Sequence, residues 1–495
     1  MAATIHVERN SSVASTKDGL FDATYDETLT PEEDKRILRK IDRWLLPVMA
    51  LSYFFQFLDK ICLGATAILG IRTDLHLTGS QYSWANAIYY FGYLVASYGA
   101  AVLMVRWKVG KVIAASILIW GGIVMLTATC FNASGLLANR FFLGVAESAI
   151  APGLTIVVSM WYKRSEQPLR HAAWFMGPTF AGIFGSLLAY GIGHIHSIEP
   201  WRAVFLIFGG VTVAWSAAVF LLLPDTPMTA RFLRAQDRTK AVIRVKDNMT
   251  GIKDNRVKWN QVREALLDVK TWLIVVETLA SNIPNGAVTA FSSIVIKGFG
   301  FSTFDTLLLG TVGFLLQLIL VPLGTGGSSY FHNARTYFMA FNLALAVTGA
   351  AMVRYISRGQ KWARFAGTVL SASYAANFPL IMSLLSANFG GFTKKTTVNA
   401  LVFVAYCVGN IIGPQLFFAR EDPTYQSGFL ALIICLAIAF ALCWVIRFYL
   451  MWENRRRDQR ISADDIAAFD RARQGVMVNL TDMTDKQIPQ FRYVY

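Results

Sequence analysis

Twelve apolar stretches, each long enough to cross a membrane, limit the fold of this chain more than any other feature of its sequence. A helix needs about 20 predominantly apolar residues to span the hydrocarbon core of a bilayer. Since a backbone in lipid must satisfy its own hydrogen bonds, the stretches predict an all-α membrane protein with twelve transmembrane helices. The predicted spans are 44–69, 82–105, 112–131, 136–160, 172–193, 201–223, 271–294, 305–329, 336–354, 362–386, 398–418 and 427–450.

A charged segment divides the spans into two groups of six. The predicted parts are an N-terminal tail (1–43), a first six-helix bundle (44–223), a linker loop (224–270), a second six-helix bundle (271–452) and a C-terminal tail (453–495). With 55% hydrophobic and 16% charged residues, the chain is more apolar than a typical soluble domain. Two six-helix halves around a central site are typical of secondary transporters.

Basic residues are distributed unevenly between the two predicted faces of the membrane. Clusters lie at 35–43, 106–111, 163–170 and 455–457. Because loops rich in Lys and Arg face the cytoplasm, these clusters predict that both termini are cytoplasmic. One predicted outer loop breaks the pattern with four basic residues, Arg354, Arg358, Lys361 and Arg364. The net charge of +15 is therefore assigned to the inner surface of a lipid bilayer and not to nucleic-acid binding.

Three ionisable residues lie inside predicted spans: Asp59, Lys60 and Glu147. Each such charge costs about 2.5 to 3.5 kcal/mol on insertion scales, so these residues indicate an ion or substrate pathway. In the first span, Lys60 shares a helix face with Tyr53 and Gln56. The adjacent Asp59 points about 100° away, so the two neighbours cannot face each other as an ion pair within the helix.

Polar residues recur on single faces of four further spans. These faces are formed by Asn86, Tyr90, Tyr93 and Ser97; by Arg140, Gly144 and Glu147; by Glu277, Ser281 and Asn285; and by Asn399, Tyr406 and Asn410. Such faces turn toward protein or water rather than lipid. For the Asn, Tyr and Gln residues, hydrogen bonds between helices explain the pattern as well as a binding site does. Glu277 lies close to the end of its span, where we expect a structural or interfacial role.

Several motifs resemble one transporter family. They include LDKICLG and RTDLHLTGSQYSWANAIYYFGYL near the first two spans, RFFLGVAESAIAPG in the fourth, and NFGGFTKKTTVNALVF and YCVGNIIGPQLF around the eleventh. From about Leu45 to Trp452, the chain resembles the fungal allantoate permease branch of the anion:cation symporters, in the major facilitator superfamily. The resemblance implies uptake of small organic anions or zwitterions, such as allantoate, ureidosuccinate, nicotinate, pantothenate and some dipeptides, usually together with protons.

The resemblance also assigns roles to individual residues. The family's first-helix acid and base fall on Asp59 and Lys60, its cavity tyrosine falls on Tyr93, and its fourth-helix acid falls on Glu147. Lysine is a point charge without the bidentate fork of arginine, so we expect neighbouring residues to supply the geometry of carboxylate recognition. We expect the protein to lie in the plasma membrane and to function as a monomer.

A coupling hypothesis connects these residues. An anion in a low-dielectric cavity needs a cation, which Lys60 would supply to a substrate carboxylate. Ionised Glu147 and Asp59 would hold Lys60, and protonation would release it to the substrate. Proton and substrate binding would then favour each other before the two halves rock around the site. Hydrogen bonds to the substrate are expected from Tyr53, Gln56, Tyr93, Asn282, Asn285, Tyr406 and Asn410.

Other classes of protein remain as alternatives. A drug:proton antiporter has the same fold, but its element of Gly-Pro, two residues and Gly-Gly is not matched here, where three residues separate Pro178 from Gly182. A nutrient sensor with little transport would be expected to carry a longer tail than 453–495. A membrane enzyme is disfavoured, because the sequence has no metal cluster, nucleophile triad or phosphate-binding loop. We expect no metal and no cofactor.

Overall fold

The computed structural model describes residues 29–163, 166–195, 197–245, 258–460 and 483–495. Within these residues all regular structure is helical and no strand occurs. Eleven helical segments of the described chain are long and apolar enough to cross a membrane, and the shorter apolar helix Gly177–Ile192 supplies the twelfth. The predicted all-α fold with twelve membrane helices is confirmed.

The first half runs from Pro31 to Leu222. Its helices are α1 (Pro31–Ile68), α2 (Ile71–Asp74), α3 (Gln81–Arg106), α4 (Val109–Thr127), α5 (Ala133–Glu147), α6 (Ile150–Trp161), α7 (Gln167–Phe175), α8 (Gly177–Ile192) and α9 (Pro200–Leu222). Helices α5 and α6 together form one span. Among the described residues between the halves, two short α-helices occur, α10 (Ala235–Arg244) and α11 (Trp259–Leu267).

The second half runs from Val269 to Arg460. Its helices are α12 (Val269–Gly298), α13 (Thr303–Tyr330), α14 (Arg335–Tyr355), α15 (Lys361–Ser371), α16 (Asn377–Asn388), α17 (Phe392–Gln415) and α18 (Gln426–Arg460). A 3₁₀ turn, Ala372–Ala376, joins α15 and α16 into one span. The end of the bundle where α1 begins and α18 ends is called the tail end below, and the opposite end is called the loop end.

Helix α1 begins well before the apolar part of its sequence. Thr30 caps it, because its side chain accepts from the backbone N–H of Glu33 while the Glu33 side chain accepts from the N–H of Thr30. The polar first turns then pack against α10, where Lys40 donates to Asp237 at 2.7 Å. Residues 31–43, predicted as part of a tail, are therefore the first turns of α1.

The C-terminal residues 483–495 pack on the tail end of the second half. Asp485 is fully buried there and binds the ammonium groups of Lys270 and Lys394. Burial alone would raise the pKa of Asp485, but the two ammonium groups outweigh it and lower the pKa to about 2. The sequence predicted a tail from 453 onward; instead α18 continues to Arg460 and the last residues fold back, because two buried lysines need counter-charges.

The basic loop between α14 and α15, which breaks the charge pattern, is tied to its own half. Arg364 is buried, donates to the carbonyl of Val353 at 3.2 Å, and stacks over the ring of Phe299 at 4.3 Å. Arg354 donates to the carbonyl of Gln426. Arg364 thus satisfies a carbonyl in the last turn of α14, where no intrahelical partner is available, and Arg354 ties the end of α14 to the start of α18. Both contacts give the loop a structural reason to be basic.

Candidate functional site

Lys60 lies at the interface between the two halves. Its side chain extends from α1, and its ammonium group donates to the hydroxyl of Tyr406, in α17 of the other half, at 2.9 Å. The ammonium nitrogen also lies 4.7 Å from the centre of the Tyr90 ring and 5.5 Å from that of Tyr406. Among the described residues, no carboxylate lies within ion-pair distance of it. Lys60 is therefore a cation held by aromatic rings and a hydroxyl group.

Glu147 is completely buried in the first half, one tyrosine away from Lys60. Its Oε2 accepts a hydrogen bond of 2.6 Å from the hydroxyl of Tyr89, and its Oε1 is buried with no hydrogen-bond partner among the described residues. The Tyr89 ring centre lies 5.6 Å from the nitrogen of Lys60. Helices α3 and α5 pack closely here, since a Cβ atom at Gly144 would lie 2.0 Å from the carbonyl oxygen of Tyr89. Glu147 thus reaches Lys60 through Tyr89 and not by direct contact.

Asp59 points away from the interface into the first half. Its Oδ2 accepts from the indole of Trp120 at 2.6 Å and from the hydroxyl of Thr212 at 3.4 Å. These partners belong to α4 and α9, so Asp59 connects α1 to both helices. The hypothesis that ionised Asp59 and Glu147 hold Lys60 directly does not fit this arrangement. The reason is the helical rotation of about 100° per residue, which turns Asp59 away.

Three asparagines form a cluster in the second half, where α12 and α17 pack together. The Asn285 amide donates to Asn410 at 2.7 Å, and the Asn410 amide lies 3.4 Å from the Asn282 oxygen. The hydroxyl of Tyr374 also lies 3.4 Å from the Asn285 oxygen. Asn410 follows Tyr406 by one helical turn of α17. The asparagine cluster therefore lies next to the tyrosine whose hydroxyl binds Lys60. The structure therefore brings these predicted residues together.

The other predicted residues lie along the same interface. Tyr53 packs edge-on against Trp174 with ring centres 4.6 Å apart. Gln56 is buried, and its amide oxygen has no hydrogen-bond partner among the described residues. Tyr93 is buried and packs against Phe403 of the second half, with ring centres 5.4 Å apart.

Arg140 is a buried cation that the predicted site did not include. Its guanidinium lies over the ring of Phe205 at 5.4 Å, and two of its nitrogens have no partner among the described residues. Arg140 lines a cavity of about 20 Å³ together with Lys60, Asn86 and Tyr90. This volume holds about one water molecule. The sequence did contain a sign that Arg140 belongs to the site. The predicted face of α3 groups Asn86 with Tyr90, and the predicted face of α5 groups Arg140 with Glu147.

Glu277 lies outside this cluster, in the buried part of α12. Its Oε1 accepts from Ser281 at 2.9 Å, and its Oε2 is buried without a partner among the described residues. It has no basic partner in the part of the chain that the structure describes. The prediction of a structural role for Glu277 stays a prediction.

The two halves meet tightly at the loop end. Arg72 forms an ion pair of 2.6 Å with Asp422 of the second half. The hydroxyl of Tyr82 donates to the carbonyl of Ala290 at 2.8 Å, and Arg72 lies over the Tyr82 ring at 5.7 Å. Together with the small central cavity, these contacts close the site toward the loop end.

Two six-helix halves that enclose a central polar site define a membrane transporter. The family model described as Major Facilitator Superfamily matches residues 49–414. The chain belongs to the major facilitator superfamily, as the sequence motifs predicted. It is a transporter of this superfamily and not an enzyme.

Relatives of this chain are fungal transporters. Allantoate permease from Saccharomyces cerevisiae is 34% identical over 479 residues, covering 94% of this chain and 87% of the permease. A protein named uncharacterized transporter from Schizosaccharomyces pombe is 36% identical over 469 residues, covering 94% of this chain and 89% of the relative. A thiamine pathway transporter from Saccharomyces cerevisiae is 29% identical, again covering 94% of this chain and 87% of the relative. The predicted likeness to the allantoate permease branch is confirmed.

Solved structures support the same fold. A bacterial homolog of the human lysosomal transporter Spinster, in an inward-facing and occupied conformation, gives a TM-score of 0.62 at 14% identity, covering 82% of this chain and 96% of that structure. A D-xylose-proton symporter gives a TM-score of 0.61 at 13% identity, covering 81% of this chain and 96% of the symporter. At such identities the likeness establishes the fold alone.

Proposed function

We propose that this transporter is a proton-coupled symporter for a small organic anion or zwitterion that carries a carboxylate. The observation that carries this proposal is the position of Lys60, which extends from one half and binds Tyr406 of the other half at 2.9 Å. In alternating access the substrate binds at the interface between the two moving halves. Lys60 places a cation at this interface.

The N–H donors of two cations, Lys60 and Arg140, favour a carboxylate ligand. An ammonium group has three N–H donors, and Lys60 gives one of them to Tyr406 among the described residues. A carboxylate could accept from the others. Arg140 lines the same cavity and has two nitrogens without a partner among the described residues. Buried cations without counter-ions are unfavourable, and an anionic substrate relieves this cost.

The relatives support a small carboxylate as substrate. The permease that is 34% identical is named for allantoate, whose carboxylate would suit Lys60 and Arg140. The cluster of Asn282, Asn285 and Asn410 offers amide donors and acceptors one turn beyond Tyr406. These amides would supply the directional hydrogen bonds that a lysine cannot provide.

Glu147 is the proton carrier in this proposal. Its Oε1 has no hydrogen-bond partner among the described residues and can take up a proton, and its other oxygen is hydrogen-bonded to Tyr89, beside Lys60. When ionised, Glu147 stabilises Lys60 electrostatically through the low-dielectric interior and competes with the substrate anion. When protonated, it removes this competition, so proton and substrate binding favour each other. Asp59 serves to anchor α1 and does not carry the proton.

Substrate access requires the halves to separate. A cavity of about 20 Å³ is too small for an organic acid, and the loop end is closed by Arg72 and Asp422. Rocking of the halves would open the site at the loop end for loading and then at the tail end for release. The basic clusters at the tail end support a cytoplasmic position for that end and for both termini. We place the protein in the plasma membrane, with a monomer of two six-helix units as the functional species.

Uptake measurements test the proposal. The protein would be expressed in a host without its own carriers, and a panel of small carboxylates would compete for uptake. We expect Lys60→Ala to abolish accumulation, and Lys60→Arg to keep part of it with a changed substrate preference, because charge survives but shape does not. Lys111→Ala is the matched control, since Lys111 is exposed near the start of α4 and its loss should leave uptake unchanged.

Two outcomes would contradict the proposal. Wild-type affinity in Lys60→Ala would remove Lys60 from the site. Indifference to every carboxylate would favour the drug antiporter or the sensor.

A further inference from the structure

A groove with five basic residues lies at the tail end, outside the transport site. It has a volume of about 700 Å³ and runs between the first turns of α1 and the segment before α10. The basic groove, as we call it, is lined by Lys35, Arg36, Arg39, Lys40, Arg43, Trp44 and Phe232, with Glu32 at its edge. A cytoplasmic position favours basic residues at this end of the bundle, but it does not by itself require them to line one groove.

Only part of this charge is neutralised within the described residues. The buried carboxylate of Asp237 binds Lys40 at 2.7 Å and Arg36 at 3.4 Å. Lys35, Arg39 and Arg43 form no ion pair with the described residues and are exposed. Those three side chains follow one another at intervals of four residues, so they project from the same face of α1. The groove therefore presents a row of three available cations over two helical turns.

An aromatic pair fixes the depth of the groove relative to the membrane. The rings of Trp44 and Phe232 stack with centres 5.2 Å apart, and the Trp44 indole donates to the carbonyl of Leu222 at 2.9 Å. Leu222 ends the membrane helix α9, and the apolar part of α1 follows Trp44. Tryptophan prefers the level of the lipid headgroups. The row of cations consequently lies just outside the hydrocarbon, where lipid phosphates are found.

We propose that the basic groove binds the headgroup of a phosphoinositide, a lipid with several phosphate groups. Arginine forks match phosphate oxygens in a bidentate manner, and a row of three cations matches several phosphates better than the single net charge of phosphatidylserine. Clusters of four to eight basic residues beside a membrane helix are typical of such lipid sites. The acyl chains would enter the bilayer next to Trp44. The proposal uses the cytoplasmic orientation of the tail end and is independent of the transported substrate.

Native mass spectrometry of the full chain in detergent tests this site. The protein would be titrated with phosphatidylinositol 4,5-bisphosphate, phosphatidylserine or phosphatidylcholine, and the lipid-bound fraction measured. We expect the triple variant Lys35→Gln/Arg39→Gln/Arg43→Gln to lose affinity for the bisphosphate by about 100-fold, since each basic residue contributes roughly fivefold. The matched control is Arg106→Gln/Lys108→Gln/Lys111→Gln, which removes the same charge from exposed positions at the end of α3, in the turn and at the start of α4, and should retain binding. The single variant Arg39→Gln, with about a fivefold loss, replaces the triple variant if that protein does not fold.

Three results would overturn the proposal. Equal loss in the control variant would mean that general surface charge attracts the lipid. Equal affinity for phosphatidylserine would mean that the groove does not select a polyphosphorylated headgroup. Binding of soluble inositol 1,4,5-trisphosphate as tight as that of the lipid would assign the groove to a soluble anion. All three measurements are independent of transport, so they also separate this site from the proposed symport.

Discussion

Arg72 and Asp422 form the one ion pair that joins the two halves within the described residues, with 2.6 Å between Nη2 and Oδ2. Arg72 follows α1 and Asp422 precedes α18, so the pair connects the start of one half to the end of the other. Both side chains are about one-third exposed, which limits the contribution of the pair to about 1 kcal/mol or less. The pair therefore biases the closure of the loop end without locking it.

Exchanging the charges of Arg72 and Asp422 tests whether this ion pair favours the closed loop end. Arg72→Glu should increase the exposure of the loop end by up to about fivefold, because about 1 kcal/mol corresponds to that shift in population. The double variant Arg72→Glu/Asp422→Arg should restore the closed population, because it recreates an ion pair. Thiol labelling of a cysteine at Asn86 would measure the exposure. If the double variant is labelled as fast as the single variant, the ion pair does not join the halves.

Gly64 lies where the two halves pack closely, and its small size gives a second prediction. A Cβ atom at Gly64 would lie 2.9 Å from the carbonyl oxygen of Thr289 in the other half. Since a backbone carbonyl cannot move aside easily, Gly64→Ala should disfavour the closed loop end and slow transport. Gly99→Ala is the matched control, because nothing lies within 4 Å of a Cβ atom there. Equal transport rates in the two variants would contradict close packing at Gly64.

The buried ion cluster at the tail end predicts a loss of stability. Asp485→Asn removes one of the two buried carboxylates that Lys270 and Lys394 share, and Asp268 remains as the other. The lost charged hydrogen bonds should cost about 1.5 to 3 kcal/mol. Asp458→Asn is the control, since its pair with Arg492 is exposed and should contribute less than about 1 kcal/mol. Thermal unfolding of the purified protein would compare the variants. A melting temperature for Asp485→Asn equal to that of the control would contradict the buried cluster.

The lowered pKa of Asp485 sets the pH dependence of the docked C-terminal segment. The pKa falls from 3.8 to about 2 in the folded protein. A lowered folded-state pKa contributes stability above the unfolded value, and this stability is lost as the pH falls through the folded value. We therefore expect constant hydrogen-exchange protection of residues 483–495 from about pH 5 to 8, and a loss only below about pH 4. Release of the segment near neutral pH would contradict this account.

Periodicity and hydrophobicity were sufficient to predict the membrane helices. The twelve spans follow from runs of apolar residues, and the shared faces of α3 and α5 follow from spacing along one helix. The fold beyond the apolar residues was not predictable in this way. Residues 31–43 and 483–495 are polar in sequence and are structured because of partners far along the chain, such as Asp237 and Lys394.

The site was predictable as a set of residues but not as a set of contacts. Faces of single helices identified Lys60, Glu147 and Tyr406, yet they could not show that Lys60 binds Tyr406 while Glu147 binds Tyr89. Such pairings depend on the rotation and depth of helices from different halves. For the same reason Arg140 was passed over, because its face was known but not the cavity it lines.

Glu147→Gln in sealed vesicles tests the central claim most directly, namely that Glu147 carries the coupled proton. Glutamine resembles the protonated acid permanently, so the variant should exchange substrate in counterflow but should no longer accumulate it against a gradient. Asp59→Asn is the matched control, because its carbonyl can still accept from Trp120 and accumulation driven by external acid should persist. If Glu147→Gln retains accumulation that rises as external pH falls and collapses with a protonophore, Glu147 is not the proton carrier.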